Sequence, residues 1–424
     1  LTRALTSKAA GTIAVVAALL WAGLLLGRVE LIAIAAPFVI ALLWGLATAP
    51  NASVRASWEV DVDRCIEGED VVLTLRIETD ARVDETLVGV VLPAGLTVTA
   101  GERYETVALD ADEEWTWELT LRPARWGAYK PGPLVVRLYG PGRYASQERS
   151  FDLDTILRVY PRTEPLKRGL PPARTQVFSG NYVSRVAAEG IEFAGVREYA
   201  STDDVKRINW RVTSRRGSLY INVYHPERNA DVVLFLDTFG DVGPAGQTTL
   251  DLTVKGATAL ARHYLLRKDR VGLVNFGGTL GWITAAQGQS HTYRIVDYLL
   301  GVQATWSYAW KDLDFLPIGI LPPLSTVVAF SPLLDKRAVS ALVNLHARGF
   351  PLVIIDTLSQ DSIAAVETAE GRLAWRVWRM QRAAVDFDLE RLGVAVVKWP
   401  KDGALEAALA RVPAMRRRPK SRLA

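Results

Sequence analysis

The stretch DVVLFLD, Asp231–Asp237, sets the reading of the carboxyl-terminal half: an apolar run closed at both ends by an aspartate. A short run of β-branched, aliphatic and aromatic residues is the pattern of a strand buried on both faces. Downstream, TLDLTVKGATALARHYLLRK (Thr249–Lys268) carries apolar residues at helical spacing, and RVGLVNFG (Arg270–Gly277) is again a strand. The alternation continues through STVVAFS (Ser325–Ser331), the helical DKRAVSALVNLHARG (Asp335–Gly349) and PLVIID (Pro351–Asp356). A long helical segment across Ile363–Leu392 and the strand GVAVVKW (Gly393–Trp399) complete it. Apolar strands alternating with amphipathic helices predict a parallel sheet covered on both faces, a doubly wound α/β domain over residues 229–412. Ligands of such sheets sit beyond the carboxyl ends of the strands. Here that edge includes Asp237, the loop Thr238–Gly246, Ser331 and Asp356.

Asp237 stands where a von Willebrand factor A domain begins its metal site with Asp-x-Ser-x-Ser. The loop reads Asp237-Thr238-Phe239-Gly240-Asp241, with Phe239 and Asp241 in place of the two serines. Magnesium takes six oxygen ligands and an aromatic ring supplies none, so a metal site on Asp237 and Asp241 is expected to be degenerate. The alternative is that Asp237 caps the following loop. The glycines of NFGGTLGW (Asn275–Trp282) do not form a phosphate loop, since no GxxxxGK[ST] occurs. No Gly-x-Ser-x-Gly elbow precedes a helix. No catalytic group stands out.

The amino-terminal region reads differently. AGTIAVVAALLWAGLLLG (Ala10–Gly27) and LIAIAAPFVIALLWGLATA (Leu31–Ala49) contain no charge, and each is long enough to cross a bilayer. Only Arg28–Glu30 separates them, which predicts a membrane hairpin over residues 1–50. A cleaved signal peptide would show one shorter apolar region. Arg3 and Lys8 precede the pair and Arg55 and Arg64 follow it, against one arginine between. By the positive-inside rule the soluble parts face the cytoplasm of a multi-pass cell-membrane protein.

Residues 51–161 change to short strands, among them DVVLTLRIET (Asp70–Thr79), ETLVGVVLP (Glu85–Pro93), EWTWELTLRP (Glu114–Pro123) and GPLVVRLYGP (Gly132–Pro141). Strands of this spacing predict a β-sandwich, with Trp115 and Trp117 facing one side of their strand, as core residues or as a partner surface. No chemistry is evident in it. Residues 162–228 comprise a Pro- and Arg-containing linker followed by a charged segment. The tail 413–424 is basic, either solvated or in touch with anionic lipid. The arginines of GRLAWRVWRMQRAA (Gly371–Ala384) lie three or four apart, which places them on one solvated helix face.

Composition narrows the classes further. The chain has 424 residues, a net charge of only +4 and a single cysteine, Cys65. So small a charge does not argue for nucleic acid. One cysteine excludes an intramolecular disulfide and a cysteine-based zinc cluster. No cofactor is indicated, magnesium apart.

The charged segment EFAGVREYASTDDVKRINWRVTSRRG, Glu192–Gly217, matches neither a linker nor an amphipathic helix. With the strand that follows it, it resembles the signature of the DUF58 family, roughly EF-x-x-(L/V)-R-x-Y-x-x-G-D-D-x-R-x-I-x-W-x-x-(S/T)-A-R. Glu192, Phe193, Arg197, Tyr199, Asp203, Asp204, Arg207, Ile208, Trp210 and Arg215 fall in place. Thr202 stands for the family's glycine and Ser214 for its alanine. The resemblance implies two membrane helices, a β-rich segment and a von Willebrand A-like domain. It further implies a chaperone-like or assembly role beside a MoxR-type AAA+ ATPase, with other membrane proteins as further partners.

From the residues themselves two readings of this segment stand. Asp203 and Asp204 with Arg207, Arg211 and Arg215 form a charge network holding the segment down while Trp210 anchors it in the core, or some of these charges face outward and dock a partner. Adjacent Asp203 and Asp204 point in different directions, a poor catalytic dyad. The expectation is a membrane-anchored cytoplasmic adaptor that binds rather than catalyses. A metal-dependent ligand receptor using Asp237 and Asp241 is the alternative, and an envelope-related enzyme the third reading.

Overall fold

The computed structural model describes residues 2–167, 169–170, 176–177, 192–201, 203–225, 228–304, 320–323, 325–358, 368–400 and 404–412. Most of the linker, Thr202 and the basic tail lie outside the described residues. The chain divides into two compact units, Leu1–Arg162 and Thr163–Ala424.

The first unit begins with a strand, β1 (Thr2–Leu5), then α1 (Ser7–Leu26) and α2 (Val29–Ala47). Thr6 caps α1 by accepting a hydrogen bond from the Ala9 N–H at 3.2 Å. Gly27 ends it at φ 65°, a left-handed conformation that favours glycine, and so lets the chain reverse within two residues. Both helices are long and apolar enough to cross a membrane. Their large apolar side chains point away from the unit: Leu24 is 77% exposed and Val29 73%, the reverse of a core hairpin.

The chain returns as β2 (Val54–Val60), β3 (Arg64–Ile66), β4 (Val71–Thr79), β5 (Val83–Val90), β6 (Leu96–Ala100), β7 (Tyr104–Leu109), β8 (Glu114–Pro123), β9 (Gly127–Tyr129), β10 (Leu134–Tyr139), β11 (Ala145–Phe151) and β12 (Leu157–Tyr160). They form a five-stranded sheet in the order β1-β11-β10-β5-β7, a four-stranded sheet β2-β4-β8-β6 and a small sheet β3-β12-β9. Residues along β4 alternate between buried and half-buried, as the two-residue period of a strand dictates. Leu73, Leu75, Ile77, Leu119 and Leu121 of one large sheet share a core with Val88, Val90, Leu134, Val136 and Leu138 of the other. Trp117 is buried in it and Trp115 stacks on Trp117 with ring centroids 6.0 Å apart. Both tryptophans are therefore packing residues. One feature had no sequence signal: β1 extends the five-stranded sheet, with Thr2 opposite Glu148 and Leu5 opposite Ala145.

The second unit contains β13 (Gln176–Val177), β14 (Glu192–Glu198), α3 (Trp210–Arg216), β15 (Tyr220–His225), β16 (Arg228–Asn229), β17 (Asp231–Thr238), α4 (Thr249–Leu266), β18 (Arg270–Gly277), β19 (Leu280–Ala286) and α5 (Gln289–Leu300). It continues with β20 (Thr326–Ser331), α6 (Lys336–Ala347), β21 (Leu352–Asp356), α7 (Ala369–Arg391), β22 (Ala395–Lys398) and α8 (Leu405–Leu409). Its main sheet runs β19-β18-β17-β20-β21-β22, parallel except for β19 at one edge. Every residue of β17 is buried, because helices cover both faces. Val233, Phe235, Val327, Ala329 and Ile354 pack with Ala341, Leu342 and Leu345 of α6 and Leu389 of α7. On the opposite face Gly256 of α4 abuts Phe330 so closely that a Cβ there would lie 2.4 Å from the ring. Smaller antiparallel pairs, β13 with β16 and β14 with β15, precede the sheet.

Candidate functional site at the sheet edge and in the signature segment

The chain leaves β17 toward α4 on one face and leaves β20 toward α6 on the other. The adjacent ends of these strands thus form the crevice where doubly wound sheets bind ligands. Strand alternation sends Asp237, Ser331 and Asp356 to the same face, and the register places Ser331 beside Asp356 and Asp356 beside Lys398. The sequence-predicted edge residues therefore come together as one polar row.

This crevice is filled by the protein's own side chains. Asp237 is 3% exposed. Its Oδ2 accepts the Ser331 hydroxyl at 2.6 Å and its Oδ1 accepts the Phe239 N–H at 3.2 Å. Burial pushes its pKa up from 3.8 to about 6, and the two hydrogen bonds offset only part of that effect. Phe239 packs edge-on against Phe276 with centroids 5.1 Å apart, and the Arg337 guanidinium lies 4.0 Å over its ring. Arg337 also pairs with Asp335, the cap of α6, at 2.8 Å.

Asp241 lies elsewhere. Its Oδ1 accepts the Leu250 N–H at 3.0 Å and the Thr249 hydroxyl at 3.3 Å, tying the loop to the first turn of α4. Among the described residues no three His, Cys, Asp or Glu side chains are grouped to hold a metal ion.

The residue that sequence reasoning missed is Arg382. It was expected on a solvated arginine face of α7, yet it is buried and its Nη2 reaches Asp356 Oδ1 at 2.6 Å while Nη1 donates to the Pro332 carbonyl at 2.5 Å. On a helix of 3.6 residues per turn Arg382 falls in line with Val385 and Leu389, the core-facing row. That spacing was the available signal. Asp356 is raised above the ordinary carboxyl range by burial, opposed by Arg382, and its Oδ2 has no hydrogen-bond partner.

The signature segment forms a hairpin of β14 and β15 with α3 between them. Arg197 grips Asp203 with two hydrogen bonds of 2.7 and 2.6 Å, and Asp203 also accepts the Ala200 N–H. The Arg197 guanidinium accordingly holds the Asp203 carboxyl below its usual range. Asp204 instead caps the next turn, accepting the Lys206 N–H at 3.0 Å. Asn209 caps α3 through the Val212 N–H and reaches Asn222 at 2.7 Å, and Gly217 closes the helix at φ 76°.

Two parts of the expected network are corrected. Trp210 is 67% exposed and anchors nothing, while Ile208 and Ile221, bridged across the hairpin, are the buried pair. Position N1 of a seven-residue helix turns Trp210 outward from the strand that α3 packs on. Arg211 and Arg215 are exposed and make no ion pair among the described residues, Arg207 and Tyr199 are half-buried, and the Glu192 side chain lies outside what is described. The bidentate ion pair of the segment joins Arg197 to Asp203, with the charge of Arg207 also favouring the Asp203 carboxylate.

No curated protein matches the chain. Among solved structures, part of native alpha-2-macroglobulin from Escherichia coli is 15% identical, with 26% of this chain and 24% of that chain covered, at a TM-score of 0.21. The CARDB domain of the PF1109 protein from Pyrococcus furiosus is 12% identical, covering 26% of this chain and 91% of that one, at a TM-score of 0.18. A non-cellulosomal cohesin from Archaeoglobus fulgidus is 11% identical, covering 25% and 91%, at a TM-score of 0.17. Likeness at these scores defines no role. The family comparison is more specific: residues 195–377 match the model described as "Protein of unknown function DUF58". That match takes in the hairpin from Gly195, the polar row at the sheet edge and the start of α7, and it is over this segment that the chain is similar to the DUF58 family.

Proposed function

We propose that this chain is a membrane-anchored adaptor that acts by binding, with the outward face of the signature hairpin as its docking surface. The observation that carries the reading is the division of labour within that hairpin. Its acids are used internally, Asp203 by Arg197 and Asp204 by a backbone N–H, whereas Trp210, Arg211 and Arg215 are exposed on α3. Aromatic and arginine side chains are the residue types over-represented at binding hot spots. A cationic face of this kind fits an acidic partner surface.

The family resemblance suggests a MoxR-type AAA+ ATPase as that partner, with the two apolar helices holding the complex at the membrane and the soluble parts on the cytoplasmic side. The strand order and the lone antiparallel edge strand suit a von Willebrand A-like sheet, and the shared core of the first unit suits a β-sandwich. Catalysis is not part of the proposal, because the ligand crevice is occupied by Phe239, Arg337 and Arg382.

The test is affinity purification of the full chain from native membranes in mild detergent, comparing wild type with Trp210→Ala and with Arg211→Glu/Arg215→Glu. An ATPase recovered with wild type and lost with both variants, at unchanged melting temperature, supports the reading. Equal recovery from all three refutes it.

A further inference from the structure

The helix α7 is apolar on two opposite sides. One side, Arg382, Val385 and Leu389, turns to the sheet. On the other, Leu373 is 62% exposed, Val377 47%, Met380 73% and Phe387 64%, with exposed Ala384 completing the row. Their spacing alternates four and three residues, the repeat that lets one helix lie along another. No residue from Ala369 to Gln381 is buried, so the amino-terminal half of α7 reaches past its contact with the sheet.

We infer that this stripe pairs with the same stripe of a second copy of the chain, with the two helices antiparallel. The argument is charge complementarity along the stripe. Arg372, Arg376 and Arg379 sit in the first half of α7 against Glu370, and Asp386, Asp388 and Glu390 in the second against Arg391, so the two halves carry opposite net charge. Antiparallel packing sets Val377 against the second copy's Phe387 and Met380 against its Ala384. It then brings Arg376 of each copy beside Glu390 of the other, twice by symmetry. A parallel pair would set Arg376 of each copy beside Gln381 of the other and bring it no acid.

A membrane surface fits less well. Lipid-bound helices carry cations along the polar face, whereas here Arg372, Arg376 and Arg379 lie on one flank and the last two turns carry three acids, Asp386, Asp388 and Glu390, against Arg391. The inference does not depend on the docking role of the signature hairpin.

The test is thiol cross-linking of the full chain in membranes, in a Cys65→Ala background checked for an unchanged melt, with a short bis-maleimide. Ala383 lies next to the two-fold axis, so Ala383→Cys is expected to give covalent dimer. Arg372→Cys is not, because antiparallel packing holds the two copies of that position about 30 Å apart at 1.5 Å per residue. Val377→Glu is expected to abolish the Ala383→Cys dimer. Arg376→Glu or Glu390→Arg alone should weaken it several-fold, and the two together should restore it. Equal dimer from both cysteine positions, no dimer from either, or a double charge reversal that fails to restore would each overturn the inference. Quenching of a label at Ala383→Cys by lipid-borne quenchers, without cross-linking, would assign the stripe to the bilayer instead.

Discussion

Replacing Asp237 with asparagine is expected to stabilise the protein at neutral pH and to destabilise it in acid. The native carboxyl titrates at about 6 against an ordinary 3.8, because burial disfavours the anion by more than the Ser331 and Phe239 hydrogen bonds favour it. A folded-state pKa above the unfolded one means that the native state holds the proton more tightly. The stability contributed by Asp237 is therefore fully present below about pH 4 and is lost as the pH rises through about 6. The gap is a little over two pH units, at about 1.36 kcal/mol per unit, so about 3 kcal/mol is missing at pH 7.5 relative to acid. Asparagine has no charge to desolvate and keeps an acceptor for Ser331, but it gives up the acceptor facing the Phe239 N–H, at a cost of about 1–2 kcal/mol. The net expected gain at pH 7.5 is about 1–2 kcal/mol, a rise in melting temperature of roughly 3–6 °C for a unit of this size. Below about pH 4 only the lost hydrogen bond remains and the variant should melt lower. Thermal melts of both full-length proteins in mild detergent at pH 4, 6 and 7.5 provide the assay. Taking the difference between them removes the other raised carboxyls, Asp231, Asp269 and Asp356. A variant that melts below wild type at pH 7.5, or a difference that does not change with pH, refutes the reasoning.

Arg382→Met is expected to cost about 3–5 kcal/mol at neutral pH, since it leaves the Asp356 carboxylate buried without its cation, and Asp356→Asn added to it should recover part of the loss. Chemical denaturation checks this, and a double variant no better than the single one would contradict it. Ile208→Ala should cost about 2–3 kcal/mol as a buried truncation, whereas Trp210→Ala two residues away should stay within about 0.5 kcal/mol. Denaturation midpoints in the opposite order would mean that the hairpin does not hold Ile208 and Ile221 as described.

The parallel sheet was readable because residues buried on both faces leave uninterrupted apolar runs such as Asp231–Asp237, and the polar edge row followed from where those runs stop. What could not be read was which side chain fills the crevice. Arg382 looks like any other arginine of α7 until its phase relative to Leu389 is measured, a matter of one helical turn. Trp210 misled for the complementary reason. Its size argues for burial, but its position at the start of a short helix, set by the Asn209 cap, decides its direction. The pairing of β1 with β11 was unreadable too, because four residues before an apolar helix carry too short a pattern to register.

That pairing bears on how the protein is made. Synthesis delivers β1 and both apolar helices long before β11, so if the helices enter a membrane as they emerge, they do so while the partner of β1 does not yet exist. The sheet can be completed only if the segment before α1 ends on the same side of the membrane as residues 51–160, which requires the hairpin to cross twice or not at all. A chain whose hairpin crossed once would strand β1 on the far side and leave β11 as an open edge, ready to take a strand from another polypeptide.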